Sequence, residues 1–253
     1  MKISMIIAAA VAALALALPG SAITNGELDG NGHPSVGAYL VNVEGEWQLL
    51  CTGTLVSSRV FLTASHCTSF AEANGWAQAV SFDPSDVENT NDIRPATSVT
   101  NPDYQAPYTN DVSLLVLDKA TRDRAPMEIA SVGYLDALEA SGAIESTAFV
   151  NVGYGTEEQV VADGPAHFPF DGYRRVSTSS FQNLRRELIQ LWQKENEEEG
   201  GACYGDSGGP TLVGSTVVAV VSTGDGPCWS TGVNTRVDTA EVRDFLAPYL
   251  ALG

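Results

Sequence analysis

Positive charge is scarce in this sequence. Lys and Arg total 13 against 31 Asp and Glu, which gives the 253-residue chain a formal net charge of −18 at pH 7. A nucleic-acid-binding protein needs a cationic surface to neutralise phosphates. An anionic membrane surface makes the same demand. We therefore expect neither nucleic acid nor an anionic membrane among the partners of this chain.

Cysteine is also scarce, and the four residues are too few for a small fold held mainly by disulfides. Zinc ligands usually come in close pairs, but here the spacings within the first and second pairs are 16 and 25 residues. We predict no metal site, and spacing alone leaves all three pairings open. The cysteines are Cys51, Cys67, Cys203 and Cys228.

Long hydrophobic runs are absent except at the beginning of the chain. A short positive start, Met1-Lys2, is followed by an apolar stretch over 3–18 and by the small residues Gly20 and Ala22. This pattern predicts a secretory signal peptide over 1–22. The alternative is a membrane anchor, but the run is short for a span of roughly 20 residues. We expect a secreted protein (extracellular, or periplasmic in a bacterium) that begins at Ile23 and has no membrane anchor after the signal is removed.

Apolar residues make up 44% of the chain, which is enough for a packed core. Short segments rich in Val, Leu, Thr and aromatic residues, bounded by turn residues, predict strands and an all-β fold. Two helices are predicted where apolar residues recur at helical spacing, over Leu184–Lys194 and from Thr239 to Leu250. Asp238 is the predicted N-cap of the second helix. The predicted strands are Val36–Val43, Gln48–Val56, Val60–Ala64, Val112–Leu117, Thr147–Val152, Pro210–Val213, Val217–Ser222 and Gly232–Val237.

Three short motifs hold side chains suited to nucleophilic catalysis. They are Thr-Ala-Ser-His66-Cys, Asn-Asp111-Val-Ser-Leu-Leu and Gly-Asp-Ser207-Gly-Gly-Pro. Flanking glycines allow a serine to expose its hydroxyl. The third motif also fits the Gly-x-Ser-x-Gly turn of α/β-hydrolases, but that fold places its histidine after the serine, and all three histidines here precede Ser207. Taken singly, the serine motif has a glycine-rich turn as a serious rival interpretation, and a lone histidine or an Asn-Asp pair is more often structural than catalytic.

Together the motifs resemble the trypsin/chymotrypsin family of serine proteases, in that family's order of His, Asp and Ser. The resemblance extends from Ile23 to the C-terminal helix. It implies two antiparallel six-stranded Greek-key β-barrels and a C-terminal helix. Residues 23–125 would form the first barrel, and residues 126–253 the second barrel with the helix. The active site would lie in the crevice between the barrels.

The resemblance further implies a monomeric serine endopeptidase that needs no cofactor and acts on protein or peptide substrates through an acyl-enzyme. Ser207 would be the nucleophile, His66 the general base, and Asp111 the group that orients the imidazole. The backbone N–H groups of Gly205 and Ser207 would form the oxyanion hole. The alternative is a catalytically silent secreted binding protein on the same fold.

The same resemblance assigns the remaining site residues. It pairs Cys51 with Cys67 and Cys203 with Cys228. It also implies that the freed α-amine of Ile23 pairs with Asp206 and so holds the backbone beside the nucleophile.

The resemblance places Gly201 at the bottom of the specificity pocket, where trypsin-like members carry Asp. Gly224 and Gly232 match the pocket walls, and Ser222 matches a polar residue that bonds near the catalytic Asp. Because no carboxylate stands at position 201, we expect large apolar or aromatic side chains to be preferred.

Overall fold

The structure is a computed structural model that describes residues 23–161, 164–193 and 199–252. The predicted signal peptide, 1–22, lies outside the described residues. In the described part of the chain, no helix is both long enough and apolar enough to cross a membrane.

Most of the regular structure is β. The strands are β1 (Glu27–Leu28), β2 (Val36–Val43), β3 (Glu46–Ser57), β4 (Val60–Thr63), β5 (Ala77–Ser81), β6 (Arg94–Val99), β7 (Ser113–Leu117), β8 (Glu128–Ile129), β9 (Phe149–Gly153), β10 (Arg175–Leu184), β11 (Leu188–Trp192), β12 (Pro210–Val213), β13 (Thr216–Gly224) and β14 (Thr231–Arg236). The helices are α1 (Ser65–Asn74), α2 (Tyr134–Ala140) and α3 (Ala240–Leu250), with short 3₁₀ turns at Val87–Asn89 and Ala143–Ser146.

The strands form two closed antiparallel barrels, as the resemblance implies. The first has the order β2-β3-β4-β7-β6-β5. The second runs β9-β10-β11-β14-β13-β12 and closes through the pairing of β9 with both β10 and β12. Two short strands lie at its margin: β1 pairs with β10, and β8 runs parallel to β13. The boundary at residue 125 stays a prediction; it falls between β7 and β8.

The barrels share a hydrophobic core at their junction. Alternate residues of a strand point to opposite faces, and β4 uses both faces. Phe61 packs inside the first barrel, whereas Val60 and Leu62 pack in the core between the barrels. That junction core also takes Leu212 from the second barrel and Leu246 from α3. The crevice above it is therefore built on two bodies that are packed directly together.

The predicted helix over Leu184–Lys194 is wrong. The segment ends β10, turns, and continues as β11, and Lys194 lies outside the described residues. Ile189 and Leu191 are buried at a spacing of two, which is the strand period. Pairing of β11 with β10 and β14 fixes the strand, and those distant partners override a local pattern that also fits a helix.

The C-terminal helix is confirmed, but its N-cap is Thr239 and not Asp238. The Thr239 hydroxyl accepts a hydrogen bond from the backbone N–H of Val242 at 3.3 Å. Asp238 is instead paired with Arg236 at 2.8 Å. Val242 and Leu246 are buried, as the predicted apolar face requires. The structure also contains both expected disulfides, Cys51–Cys67 and Cys203–Cys228.

A buried arginine joins the two barrels. Arg174 lies just before β10, its side chain is 1% exposed, and its Nε donates to Asp29 Oδ2 at 2.8 Å. Its other nitrogens donate to the carbonyl oxygens of Val36 and Gly30. Burial alone raises the pKa of Asp29, but hydrogen bonds from His33 and Arg174 outweigh it and lower the pKa to about 2. The Asp29 carboxylate is therefore ionised at neutral pH, with hydrogen bonds to both of its oxygens.

Replacing Arg174 with Met should lower the free energy of unfolding at pH 7 by about 3–5 kcal/mol, because it leaves the Asp29 carboxylate buried without its cation. Urea unfolding followed by tryptophan fluorescence measures the change. The exposed pair Arg186–Glu241 supplies the control: Arg186→Met should leave the unfolding midpoint unchanged within error. Because the folded pKa of Asp29 is lowered, the contribution of this pair is present at neutral pH and is lost as pH falls from about 4 toward 2. Equal midpoints for the two variants at pH 7 would contradict this account.

Candidate active site

The first barrel brings His66 and Asp111 together. His66 is the second residue of α1, directly beyond β4, and Asp111 lies two residues before β7. Because β4 pairs with β7 so that Thr63 lies opposite Ser113, these two strand ends meet. Asp111 Oδ2 lies 2.8 Å from His66 Nδ1, and Asp111 Oδ1 accepts the backbone N–H of His66 at 2.8 Å. The carboxylate thus fixes both the ring and the backbone of the histidine.

The second barrel holds the same carboxylate. Ser222, on β13, donates its hydroxyl hydrogen to Asp111 Oδ2. The Asp111 side chain is fully buried, whereas 28% of the His66 side chain is exposed. The buried acceptor therefore has polar partners from both barrels, and only the imidazole reaches solvent.

Ser207 lies in the loop before β12, and this loop is hydrogen-bonded to the first barrel. Thr52, on β3, donates its backbone N–H to the Ser207 carbonyl at 2.9 Å and its hydroxyl to the Gly205 carbonyl at 2.9 Å. Gly208 allows the close approach: its φ is +78°, and a Cβ there would lie 2.2 Å from Thr63 Oγ1. The serine loop is therefore pressed against the strand that leads into His66.

His66 and Ser207 line one cleft of about 490 Å³ between the barrels. Among the contacts of the described residues, no hydrogen bond joins the Ser207 hydroxyl to His66, and His66 Nε2 lies 3.5 Å from Cys67 Sγ. Catalytic hydrogen bonds are often long in unliganded sites and tighten when substrate binds. The other lining residues are Tyr104, Pro107, Tyr108, Ala202, Cys203, Tyr204, Val221, Ser222, Thr223, Gly224, Asp225 and Cys228.

Asp206, next to Ser207, is completely buried. Burial raises the pKa of its carboxyl to about 7, although backbone N–H groups of Cys203 and Gly155 donate to it at 2.9 and 2.7 Å and oppose the rise. Two glycines make room for it. A Cβ at Gly153 would lie 2.1 Å from Asp206 Oδ1, and one at Gly155 would lie 2.6 Å from Asp206 Cγ.

Ile23 is bonded to the chain segment that binds this carboxyl. Its side chain is fully buried, and its backbone nitrogen donates to the Thr156 carbonyl at 3.2 Å. The next residue, Thr24, forms a β-bridge with Gly201. Ile23 and Thr24 are therefore bonded to Thr156 and Gly201. Thr156 directly follows Gly155, whose N–H binds Asp206.

Comparison with known proteins agrees with this architecture. A family model described as Trypsin matches residues 29–245. The chain belongs to the trypsin family of serine proteases. Trypsin beta of Drosophila erecta is 25% identical over 210 residues, covering 78% of this chain and 77% of the relative. Human kallikrein-7 is 27% identical over 185 residues, covering 72% and 69%. A trypsin of Saccharopolyspora erythraea is 29% identical over 212 residues, covering 77% and 82%.

The pocket residues of this trypsin-family chain divide into two groups. Ser222 and Gly224 line the cleft. Gly201 and Gly232 instead lie against the side chain of Gln193, which follows β11. Neither glycine is among the described residues that line the cleft.

One acidic side chain also lines the cleft. Asp225 accepts backbone N–H groups from Trp229, Ser230 and Thr231 at 2.7–2.9 Å. Burial raises its pKa, but these bonds outweigh the burial and leave the pKa below its usual value. The Asp225 carboxylate is thus ionised and accepts hydrogen bonds from the turn that follows β13.

Metal ligation is not supported at this centre. Among the described residues, the group with suitable ligand distances is Cys51, His66 and Cys67. Both sulfurs are bonded to each other in a disulfide, so no thiolate is present to bind a metal.

Sequence reasoning missed several residues that shape the site. Gly153 and Gly155 enclose Asp206, and the Gly-Tyr-Gly sequence at the end of a predicted strand was the available signal. Tyr104 and Tyr108 line the cleft from the loop before Asp111, where their spacing gives no sign of this role. Gln193 lies in the segment predicted as a helix, so the sequence gives no sign that its side chain packs against Gly201 and Gly232.

The glycine at position 153 yields a direct test of the Asp206 environment. Gly153→Ala should displace the carboxylate and the adjoining loop, because the added methyl would overlap Asp206 Oδ1. We expect labelling of Ser207 by a fluorophosphonate to slow by at least about 10-fold, which corresponds to about 1.4 kcal/mol. Gly226→Ala is the matched control, since a Cβ at Gly226 meets nothing within 4 Å. Equal labelling rates in the two variants would show that Asp206 does not position the nucleophile.

Proposed function

We propose that this chain is a serine endopeptidase that hydrolyses peptide bonds through an acyl-enzyme. The observation that carries the proposal is the pair of hydrogen bonds that the Asp111 carboxylate accepts from His66, which lines the same cleft as Ser207. A serine hydroxyl is a poor nucleophile until a base takes its proton. An imidazole with one nitrogen held by a buried carboxylate keeps its other nitrogen for that task.

The proposed reaction runs in two halves. Ser207 Oγ attacks the scissile carbonyl carbon, its proton passes to His66 Nε2, and Asp111 stabilises the imidazolium. Collapse of the tetrahedral intermediate breaks the C–N bond, and His66 returns the proton to the leaving amine. Water then attacks the acyl-enzyme with His66 again as base, which releases the carboxylic acid and restores the Ser207 hydroxyl.

The proposed oxyanion hole consists of the backbone N–H groups of Gly205 and Ser207. Gly205 has a φ of +98°, and a Cβ there would lie 2.9 Å from the Cα of Gly155. Both facts favour glycine at this position. Donors held rigidly where negative charge develops lower the barrier more than donors that must reorganise.

We propose that the α-amine of Ile23, once freed, pairs with Asp206. A carboxylate this deeply buried is costly to ionise unless a cation compensates it. The Ile23 nitrogen donates to the carbonyl of Thr156, the residue after Gly155, whose N–H binds Asp206. Because Ile23 directly follows the predicted signal-peptidase site, secretion itself would generate the amine.

Substrate preference is proposed from the pocket. Gly201 carries no carboxylate, so the pocket floor lacks the charge that would select Arg or Lys. Ala202, Val221 and Gly224 give the cleft small and apolar walls. We infer a preference for large apolar or aromatic side chains before the cut, and a secreted monomer as the active form.

The nucleophile assignment predicts selective labelling. A fluorophosphonate should modify the purified secreted protein at Ser207, and Ser207→Ala should abolish labelling, with Ser131→Ala as the exposed-serine control. Intact-mass analysis and peptide mapping identify the labelled residue. Absence of label from the folded wild-type protein would support the silent binding protein instead.

The orienting role proposed for Asp111 predicts a loss of rate. Asp111→Asn should lower kcat by about 10⁴-fold, because the imidazole then holds its proton on the wrong nitrogen.

The activation pair predicts both a terminus and a pH limit. N-terminal sequencing of the secreted protein should begin at Ile23, and acetylation of that amine should abolish activity. Pairing raises the amine pKa above its free value of about 8. The stabilisation is therefore present at lower pH and disappears as pH climbs through the raised pKa, so activity should fall on the alkaline side. Another terminus, or full activity after acetylation, would refute the pairing.

A further inference from the structure

Thr52 is buried where the first barrel meets the loop that carries Ser207. It lies on β3, and none of its surface is exposed. Its carbonyl accepts the hydroxyl of Thr63 at 2.8 Å, which ties it to the end of β4, the strand that leads into His66. Thr52 and the proposed base are therefore carried by neighbouring strands of the same barrel.

The Thr52 side chain bridges two segments of the second barrel. Its hydroxyl oxygen accepts the backbone N–H of Tyr154 at 3.2 Å, and its hydroxyl hydrogen is donated to the Gly205 carbonyl at 2.9 Å. Both directions are fixed, because a backbone N–H can only donate and a carbonyl oxygen can only accept. Tyr154 lies between the two glycines that make room for Asp206. One buried hydroxyl thus joins this glycine segment to the serine loop.

Hydrogen bonds also orient the two peptide units that carry the proposed oxyanion donors. The carbonyls of Tyr204 and Asp206 each accept a backbone N–H, at 2.7 and 2.8 Å. Both peptide bonds are trans, and in a trans peptide the C=O and N–H groups point in opposite directions. The N–H groups of Gly205 and Ser207 are thereby turned away from these partners. Neither N–H has a hydrogen-bond partner among the described residues.

The peptide unit between these two joins Gly205 to Asp206, and this is the unit that Thr52 holds. Its N–H donates to the Cys203 carbonyl at 3.1 Å within the same loop, whereas its carbonyl accepts the Thr52 hydroxyl from the other barrel. Gly205 has a φ of +98° and a backbone that rotates more freely than that of other residues. Rotation about its ψ would change the angle between its own N–H and that of Ser207. The Thr52 hydroxyl therefore restricts the angle between the two donors.

We propose that Thr52 is a positioning residue, whose hydroxyl holds the Gly205 carbonyl so that the N–H groups of Gly205 and Ser207 point to the place where the oxyanion forms. This inference rests on the proposed peptidase function. Thr52 is not among the described residues that line the cleft, so it acts through the loop. Donors that are already oriented when negative charge develops lower the barrier more than donors that must turn. The hydroxyl therefore favours the transition state over bound substrate.

The first test compares Thr52→Val with Thr52→Ser. Valine has the shape of threonine without the hydroxyl, serine keeps the hydroxyl, and both keep the backbone N–H that donates to Ser207. We expect Thr52→Val to lower kcat for the best-cleaved peptide amide by about 10–100-fold, somewhat less than outright loss of an oxyanion donor, with KM within about twofold of the wild-type value. Thr52→Ser should retain most of the wild-type kcat. Rates are expressed per Ser207 labelled by fluorophosphonate at completion, so misfolded protein does not enter them.

A pair of inhibitors reports on the oxyanion hole itself. When a peptide aldehyde binds, Ser207 Oγ bonds to the aldehyde carbon, the serine proton passes to His66, and the carbonyl electron pair moves to the oxygen. The corresponding peptide alcohol cannot react and measures binding of the peptide alone. Pairs ending in Phe, Leu and Arg are compared, and the pair that binds the wild-type protein most tightly is used. In Thr52→Val the preference for aldehyde over alcohol should shrink by about 10–100-fold, and in Thr52→Ser it should be largely kept.

Thr54→Val is the matched control. Thr54 lies two residues further along β3, is 1% exposed, and its hydroxyl has no hydrogen-bond partner among the described residues. The substitution removes a buried threonine hydroxyl from the same strand without removing a hydrogen bond to the serine loop. Its kcat and its aldehyde-to-alcohol preference should match the wild-type values. Thr52→Ala removes the hydroxyl without placing a methyl group against the Gly205 carbonyl; it should show the same loss as Thr52→Val and replaces that variant if valine prevents folding.

The outcomes separate the positioning role from the function on which it rests. If the wild-type protein is labelled at Ser207 and active, but the variants without the hydroxyl keep its kcat and inhibitor preference, the inference is overturned and the peptidase assignment stands. A loss that Thr52→Ser does not restore, or that appears in KM alone, also overturns the inference. If the wild-type protein takes no label and cleaves no peptide, the proposed function fails, and the positioning role fails with it.

Discussion

The burial of the Asp206 carboxyl is the constraint on which the rest of the site depends. This group lies one residue before the candidate nucleophile, and removing it from water raises its pKa to about 7. Gly153 and Gly155 leave room for it and nothing larger. Gly205 and Ser207 are the chain neighbours of Asp206, so their backbone positions depend on which group compensates the charge of its carboxylate. In the proposed activation pair, a freed amine at Ile23 would supply the compensation, and activity would then depend on that amine.

The second constraint is that each half of the site is held by the other barrel. Asp111 comes from the first barrel but accepts a hydroxyl from Ser222 of the second. Ser207 comes from the second barrel but its carbonyl accepts the N–H of Thr52 of the first. Residues far apart in the chain thus share hydrogen bonds, so separating the barrels would disrupt the surroundings of the candidate base and of the candidate nucleophile together. The packed junction core beneath them keeps these contacts in register.

Local sequence predicts the parts of the molecule that local chemistry controls. The predicted strands from Val36 to Val237 correspond to observed strands, and the two disulfides and the C-terminal helix are present. The segment 184–194 is not the predicted helix, because its residues 188–192 pair with β14, 39–47 residues further along the chain. The packing of Gln193 against Gly201 and Gly232 likewise depends on the folded chain, and no short motif records it.

A crystal structure of the protein trapped with a peptidyl phosphonate tests the central claim most directly. The account predicts a covalent bond from phosphorus to Ser207 Oγ and His66 Nε2 within hydrogen-bond distance of that oxygen. It also predicts the phosphonyl oxygen on the N–H groups of Gly205 and Ser207, and the Ile23 amine against Asp206. Phosphorus bound to another residue, or His66 lying beyond the reach of one bridging water from Ser207, would contradict it.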